Sequence, residues 1–326
     1  MASTTDYRAL ATRKDWVLAA PKKIPEQRAP GLYDHIEGLP EDLTSVVKRT
    51  RFRLMTSSTI VFNAELTFQG KTHDVVIRVT PPHDGVPEDV EPKMQEIARE
   101  LKIWRLLRHP NILQLHGLFF DPVFHVNKGV QLPTLILPLC ENDDVARFLK
   151  EHPEMPRLPF LVDVAHGLEH LHKYDIIHAD MKPSNIFVRG SSPNFRAVIS
   201  DFGCSKILGE LETFGYSFGK TYRYCAPEHA RERGWIATKE SDVCSLSLTM
   251  LTMVSGKEPL ADLEDTDATT AMHGGGRPQC QDHPCLEMSD SLWTLLEACW
   301  QAAPESRPGM EYVVAQLVAI STQRTL

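Results

Sequence analysis

The sequence predicts an α+β chain of two lobes, a small β-rich lobe with one helix followed by a larger, mainly helical one. Three observations carry that prediction. Short runs rich in β-branched and aromatic residues crowd the first part, RFRLM (51–55), TIVFNAELTF (59–68) and HDVVIRVT (73–80), separated by QGKT-type turns. One long stretch, DVEPKMQEIARELKIWRLLRHP (89–110), repeats its apolar residues at helical spacing. From Asn142 onward the apolar pattern is mostly helical.

Taken in order, residues 1 to about 45 carry Ala, Lys, Arg and Pro in no clear period and read as a flexible or loosely docked extension. GLPEDLTSVVKR (38–49) reads as a short helix with Asp42 or Thr44 near its start. In the long stretch Ile97, Leu101, Trp104 and Leu107 share one helix face, and His109-Pro110 stops it. NILQLHGLFF (111–120) and TLILPL (134–139) are again strand-like. DDVARFLKEH and FLVDVAHGLEHLHKY are helical; the loop IIHADMKPSNIFV (176–188), the strand RAVIS and Asp201-Phe202-Gly203 follow. Helices around 240–256, 289–301 and 309–320 complete the chain. The expected organisation is an extension at 1–45, a domain at 46–320 and a tail at 321–326. Within the domain the first lobe spans about 46–137 and the second about 141–320.

Composition excludes several function classes. Hydrophobic residues at 42% and charged ones at 24% are ordinary for a globular protein of this size. The net charge of −8 has the wrong sign for binding a nucleic-acid backbone. Seven scattered cysteines without a C-x-x-C pair read as reduced thiols of an intracellular, cytoplasmic protein. Cys280 and Cys285 with His283 between them lack a fourth ligand at zinc spacing, so they read as incidental thiols on a loop. The first residues have no apolar core and do not read as a secretory signal. The longest apolar run, VCSLSLTMLTMVSG (243–256), is too short to span a bilayer and reads as a buried helix.

Four motifs stand in one order: His178-Ala179-Asp180 with Lys182 and Asn185, then Asp201-Phe202-Gly203, then Ala226-Pro227-Glu228, then Asp242 at the opening of a helix. Each alone is weak, but the ordered set with loop-sized gaps is strong. On these residues the chain resembles the eukaryotic protein kinase superfamily over about 45–320. Its ending ACWQAAPESRPGMEYVVAQL resembles that of the tyrosine-kinase-like serine/threonine group. RELKIWRLLRHPNIL, GGGRPQ and SDSLWTLLEACW are similar to kinases expanded in mushroom-forming fungi. The resemblance implies a bilobal protein-kinase-like fold, ATP and Mg2+ as cofactors, and a protein substrate or signalling partner; it implies neither nucleic-acid binding nor membrane insertion.

It also implies roles, since phosphoryl transfer is chiefly positioning and charge stabilisation. Asp180 would orient or accept the proton of the substrate hydroxyl, and Lys182 would neutralise the transferring phosphoryl. Asn185 and Asp201 would give oxygen ligands to magnesium. Lys182, together with Thr221 in KTYRYCAPE, follows the serine/threonine pattern. The structural alternative is that these groups only hold the fold: Asp180 and Asp242 would then bond loop backbone, and Glu228 with Arg307 would form a buried tie.

The departures concentrate in the first lobe. Matching VFNA to the family's pattern, with Val61 beneath the nucleotide loop, places its three glycine positions at Leu54, Thr56 and Thr59, none of them glycine. Arg78 stands where the strand lysine belongs, with Glu100 as its expected partner. Val76 and Phe187 add bulk where adenine would lie, and Leu137, Leu139 and Cys140 would border it. Ala179 replaces the arginine that pairs with activation-segment phosphate. Thr213, Ser217 and Thr221 remain as hydroxyls on that segment. Two readings follow: an ATP-dependent serine/threonine protein kinase with Arg78 in place of lysine, or a pseudokinase acting as a scaffold. A small-molecule kinase of related fold is a third.

Overall fold

The computed structural model describes residues 42–55, 59–80, 90–120, 125–126, 130–131, 133–208, 222–230 and 237–323. The expectations for residues 1–41, for Thr56 and for Thr213, Ser217 and Thr221 lie outside the described residues. The chain divides into two compact units, Met1–Leu139 and Cys140–Leu326.

The first unit is built on a sheet of order β1-β2-β3-β7-β4. Its strands are β1 (Val47–Met55), β2 (Ile60–Phe68), β3 (Lys71–Val79), β4 (Gly117–Phe119) and β7 (Thr134–Pro138); the pair β5 (His125–Val126) and β6 (Val130–Gln131) stands apart. Alternation decides the faces. Ala64, Leu66, Val75, Ile77, Val79 and Ile136 bury on one face with Leu43 and Phe119. The register opposes Val61 to Arg78 and Val76 to Leu137, so these four share the other face. Among the described residues strand β1 is a sheet edge, and its register shifts between Arg49 and Arg51 and again between Phe52 and Leu54. Helix α1 (Val90–Leu106) buries Ile97, Leu101, Ile103 and Trp104.

Two local expectations are corrected. The helix read at 38–49 is absent from its described part: residues 44–46 turn, and β1 begins at Val47. Asp42 Oδ1 accepts from the Thr44 amide (2.9 Å), and the Leu43 amide donates to Leu118 O (2.7 Å), which seats Leu43 in the core. Burial of Leu43 and Val47 against the sheet outweighs the weak local helix preference. In NILQLHGLFF only Gly117–Phe119 is strand. Leu113 O is taken by the Trp104 indole (2.6 Å), so this buried stretch satisfies its backbone outside a ladder.

The second unit is mainly helical. It holds α2 (Val145–Glu151), α3 (Leu158–Lys173), α4 (Lys239–Ser255), α5 (Asp265–His273), α6 (Asp290–Cys299) and α7 (Met310–Gln323). Short strand pairs β8 (Ile176–Ile177) with β11 (Lys206–Ile207), and β9 (Ile186–Arg189) with β10 (Arg196–Ile199), carry the loops between them. Helix α4 contains the long apolar run and is buried from Ser241 to Val254. A reciprocal cap between Thr238 and Ser241 starts it, and Gly256 at φ +71° ends it. Arg157 gives α3 no side-chain cap; Glu287 accepts from the amides of Arg157 (2.9 Å) and Leu158 (3.1 Å) instead. Among the described residues no helix is long and apolar enough to cross a membrane.

Candidate active site

The loop after β8 is fixed from below by one buried carboxylate. Asp242, in the first turn of α4, accepts from the amides of His178 (2.8 Å) and Ala179 (2.8 Å) and meets His172 Nε2 at 3.0 Å. Three donors thus surround this buried carboxylate. Ala179 is thereby held at φ +65°, a region that costs an alanine about 1 kcal/mol. The His178 ring is equally committed. Its Nδ1 accepts from the Asp180 amide (3.3 Å) and its Nε2 faces Ser200 O (3.0 Å), so the ring hydrogen sits on Nε2. Phe202 packs edge-on against that ring at 5.4 Å.

On this base the three polar residues of the loop meet. Lys182 Nζ lies 2.7 Å from Asp180 Oδ2. Asn185 Nδ2 donates to the same oxygen (2.9 Å) and to Asp180 O (2.8 Å). Both neighbours engage Oδ2; Asp180 Oδ1 and the Asn185 amide oxygen take no part in these contacts. The β9–β10 hairpin then brings in Asp201. Ile186 opposes Ile199, and the Ser200 amide donates to Asn185 O (2.9 Å), so Asp201 follows directly beside Asn185. Asp201 itself sits at φ +64°, and its carboxylate receives the Gly203 amide at 3.4 Å. Two hard oxygen donors thus stand just beyond the paired ends of β9 and β10, of the kind that suits a divalent cation such as magnesium.

Cys225 stands close to this loop. Burial pushes its thiol up to about 12, and the Asp180 carboxylate pushes the same way. It is therefore an inert neutral thiol at physiological pH. The segment that contains it ends in a two-pronged ion pair, with Arg307 Nη1 to Glu228 Oε1 at 2.7 Å and Nη2 to Oε2 at 2.8 Å. Arg307 also donates to Glu240 O and Gln301 O, which ties the segment to α4 and to the stretch before α7.

The residues expected to meet a nucleotide divide between the units. Val61, Val76, Arg78, Glu100, Leu137 and Leu139 belong to the sheet unit; Cys140 and Phe187 belong to the helical unit. Arg78 Nη1 contacts Glu100 Oε1 at 2.5 Å, with both side chains largely buried. This pair holds α1 against the sheet face that carries Val61, Val76 and Leu137. Leu54 is exposed and Thr59 half-buried. His283 is buried with Nδ1 against Ser255 Oγ at 3.1 Å. Three contributors have no motif to announce them: His172 on Asp242, Glu287 at the start of α3, and Arg223, whose guanidinium is enclosed by the 258–265 loop.

The family described as Protein kinase domain matches residues 84–318. Serine/threonine-protein kinase 12 of Arabidopsis thaliana is 30% identical over 235 residues, 70% of this chain and 48% of that protein. Serine/threonine-protein kinase VIK of the same plant is 30% identical over 236 residues, 70% of this chain and 51% of that protein. Receptor-interacting serine/threonine-protein kinase 3 of Rattus norvegicus is 29% identical over 237 residues, 67% of this chain and 47% of that protein. The chain spans about half the length of these curated relatives.

Proposed function

The chain belongs to the protein kinase family, and from that premise we propose that it is a serine/threonine protein kinase that moves the γ-phosphoryl group of ATP to a protein hydroxyl. The observation that carries this reading is the meeting of Asp180, Lys182 and Asn185 on one hydrogen-bonded, partly buried loop with Asp201 beside it. Mg·ATP, when bound, supplies the transferable phosphoryl group and the cation charge that balances it. Asn185 and Asp201 would hold the magnesium. Arg78 would face the phosphates, while Val61, Val76, Leu137, Leu139, Cys140 and Phe187 would border the base. Asp180 orients the attacking hydroxyl and takes its proton at Oδ1. Lys182, already paired with Oδ2, holds that carboxylate in place and offers positive charge where the phosphoryl group passes. The serine/threonine preference is supported by Lys182 and by the names of the relatives. The placement among kinases expanded in mushroom-forming fungi rests on the three stretches quoted for it.

A second reading is favoured by a specific observation. Arg78 is already neutralised by Glu100, and neither Leu54 nor Thr59 offers a bare backbone to phosphates. A protein so built would act as a scaffold, with its shape as the output. Transfer of labelled γ-phosphate to the chain itself and to a basic protein separates the two, with Asp201→Asn run alongside. Transfer that vanishes in the variant is the expected result. No transfer from the wild-type chain, or equal transfer from both, would leave the scaffold reading.

A further inference from the structure

The segment that carries Cys225-Ala226-Pro227-Glu228 is gripped near its start by a residue that the transfer chemistry does not use. Arg223 is buried, with 7% of its side chain exposed. All five of its guanidinium N–H groups point at acceptors of one loop. Nε and Nη2 both donate to Asp265 Oδ1 (3.0 and 2.8 Å), and Nη2 also to Leu263 O (2.9 Å). Nη1 donates to Pro259 O (2.8 Å) and Leu260 O (2.9 Å). The three carbonyls converge in a stretch where Leu260 sits at φ +52°. Only a planar fork with five donors satisfies this set at once; an ammonium has three. Asp265 is 80% exposed, so its charge is screened and the carbonyl bonds make most of the tie.

The grip matters because of where it falls. Tyr224 Oη lies 3.3 Å from Thr252 Oγ1 on α4, and Glu228 is held by Arg307. Residues 222–228 are thus pinned to three parts of the helical unit, and Arg223 is the first pin after Thr221. Of the neighbouring charged groups, Asp265 and Glu258 face the guanidinium directly, Glu258 at 3.5 Å.

We propose that Arg223 is a positioning residue: it fixes how the 222–228 segment lies, and through that the binding of the protein substrate, without taking part in phosphoryl transfer. The proposal rests on reading the chain as a protein kinase. The test pairs amide exchange with transfer kinetics on the full chain, in wild type, Arg223→Lys and Asp265→Asn. Exchange across 222–228 should rise about tenfold in Arg223→Lys and about threefold in Asp265→Asn. Exchange in α3 should stay unchanged. KM for the protein substrate should rise in the same order, with kcat and the KM for ATP within about twofold of wild type. Unchanged exchange at 222–228, equal opening of α3, or a fall in kcat alone would overturn the proposal. If Arg223→Lys does not fold, the surface change Asp265→Asn carries the same reading. A wild-type chain that transfers nothing would sink the kinase reading, and with it the substrate role; the exchange data would then show whether Arg223 still orders the segment.

Discussion

In the helical unit the polar side chains of the 178–185 loop bond one another above a buried carboxylate, whereas in the sheet unit the Arg78–Glu100 ion pair stands where a nucleotide clamp is expected. Asp242 alone gathers two amides and an imidazole beneath the loop. Asp180, Lys182 and Asn185 then bond one another. Such a network is set before any ligand arrives. On the sheet, Arg78 pairs with the buried Glu100, and the family match begins at residue 84, beyond β1, β2 and β3. The difference teaches that the two units need not follow their family's pattern to the same degree: the 178–185 loop keeps its polar network although Ala179 and Phe187 depart there, and the sheet unit carries Leu54, Thr59 and Arg78.

The largest expected effect strikes the helical unit. Asp180→Ala should lower kcat by about a hundred- to ten-thousandfold, measured by phosphoryl transfer on the folded variant. A kcat left within about tenfold would mean the ordered loop is only scaffolding. Next comes Glu100→Ala. It removes the buried carboxylate that faces Arg78 and should cost the sheet unit about 3 kcal/mol in urea denaturation. A loss under about 1 kcal/mol would mean that water screens the pair, and the contrast between the units would weaken.

Acid should sharpen the comparison from the helical side. Burial pushes the His170 imidazole on α3 down to about 4. The unfolded chain, with a pKa of about 6.5, then binds the proton more tightly than the folded one. Stability contributed by this group is therefore full above about pH 6.5 and falls as pH drops toward 4, with roughly 2 kcal/mol lost by pH 5. His170→Phe should flatten that part of the pH profile, read from melts between about pH 4.5 and 7. The smallest effect is the most discriminating. Arg78→Lys should raise transfer about fivefold if the strand position serves a nucleotide, and change nothing if it serves only Glu100.

Much of this was legible because it is local. Val75, Ile77 and Val79 alternate with Val76 and Arg78, and that alone assigns the faces of β3. Ile97, Leu101 and Trp104 fix the buried face of α1. Asp180, Lys182 and Asn185 lie within six residues, so spacing alone brings them together. What escaped reading depends on distant partners or on weak periodicity. Helix α5 buries only Ala268 and Met272, too few apolar positions to mark a face. Arg223 takes its acceptors from 36 to 42 residues downstream, and Glu287 reaches 130 residues back to Arg157. The turn at 44–46 was read as helix because the seat of Leu43 beside Leu118 has no trace in the neighbouring sequence.

The edge strand β1 carries one more consequence. It ends the sheet with Phe52 and Met55 exposed at 58% and 69%, the kind of open, apolar border onto which a second molecule's strand can zip. Its nine residues also hold Lys48, Arg49, Arg51 and Arg53 with no acid among them, and its two register shifts bend the backbone twice. Mutual repulsion and a crooked hydrogen-bonding rim make stacking of identical copies unfavourable. Replacing those four cations would make edge pairing of two copies easier.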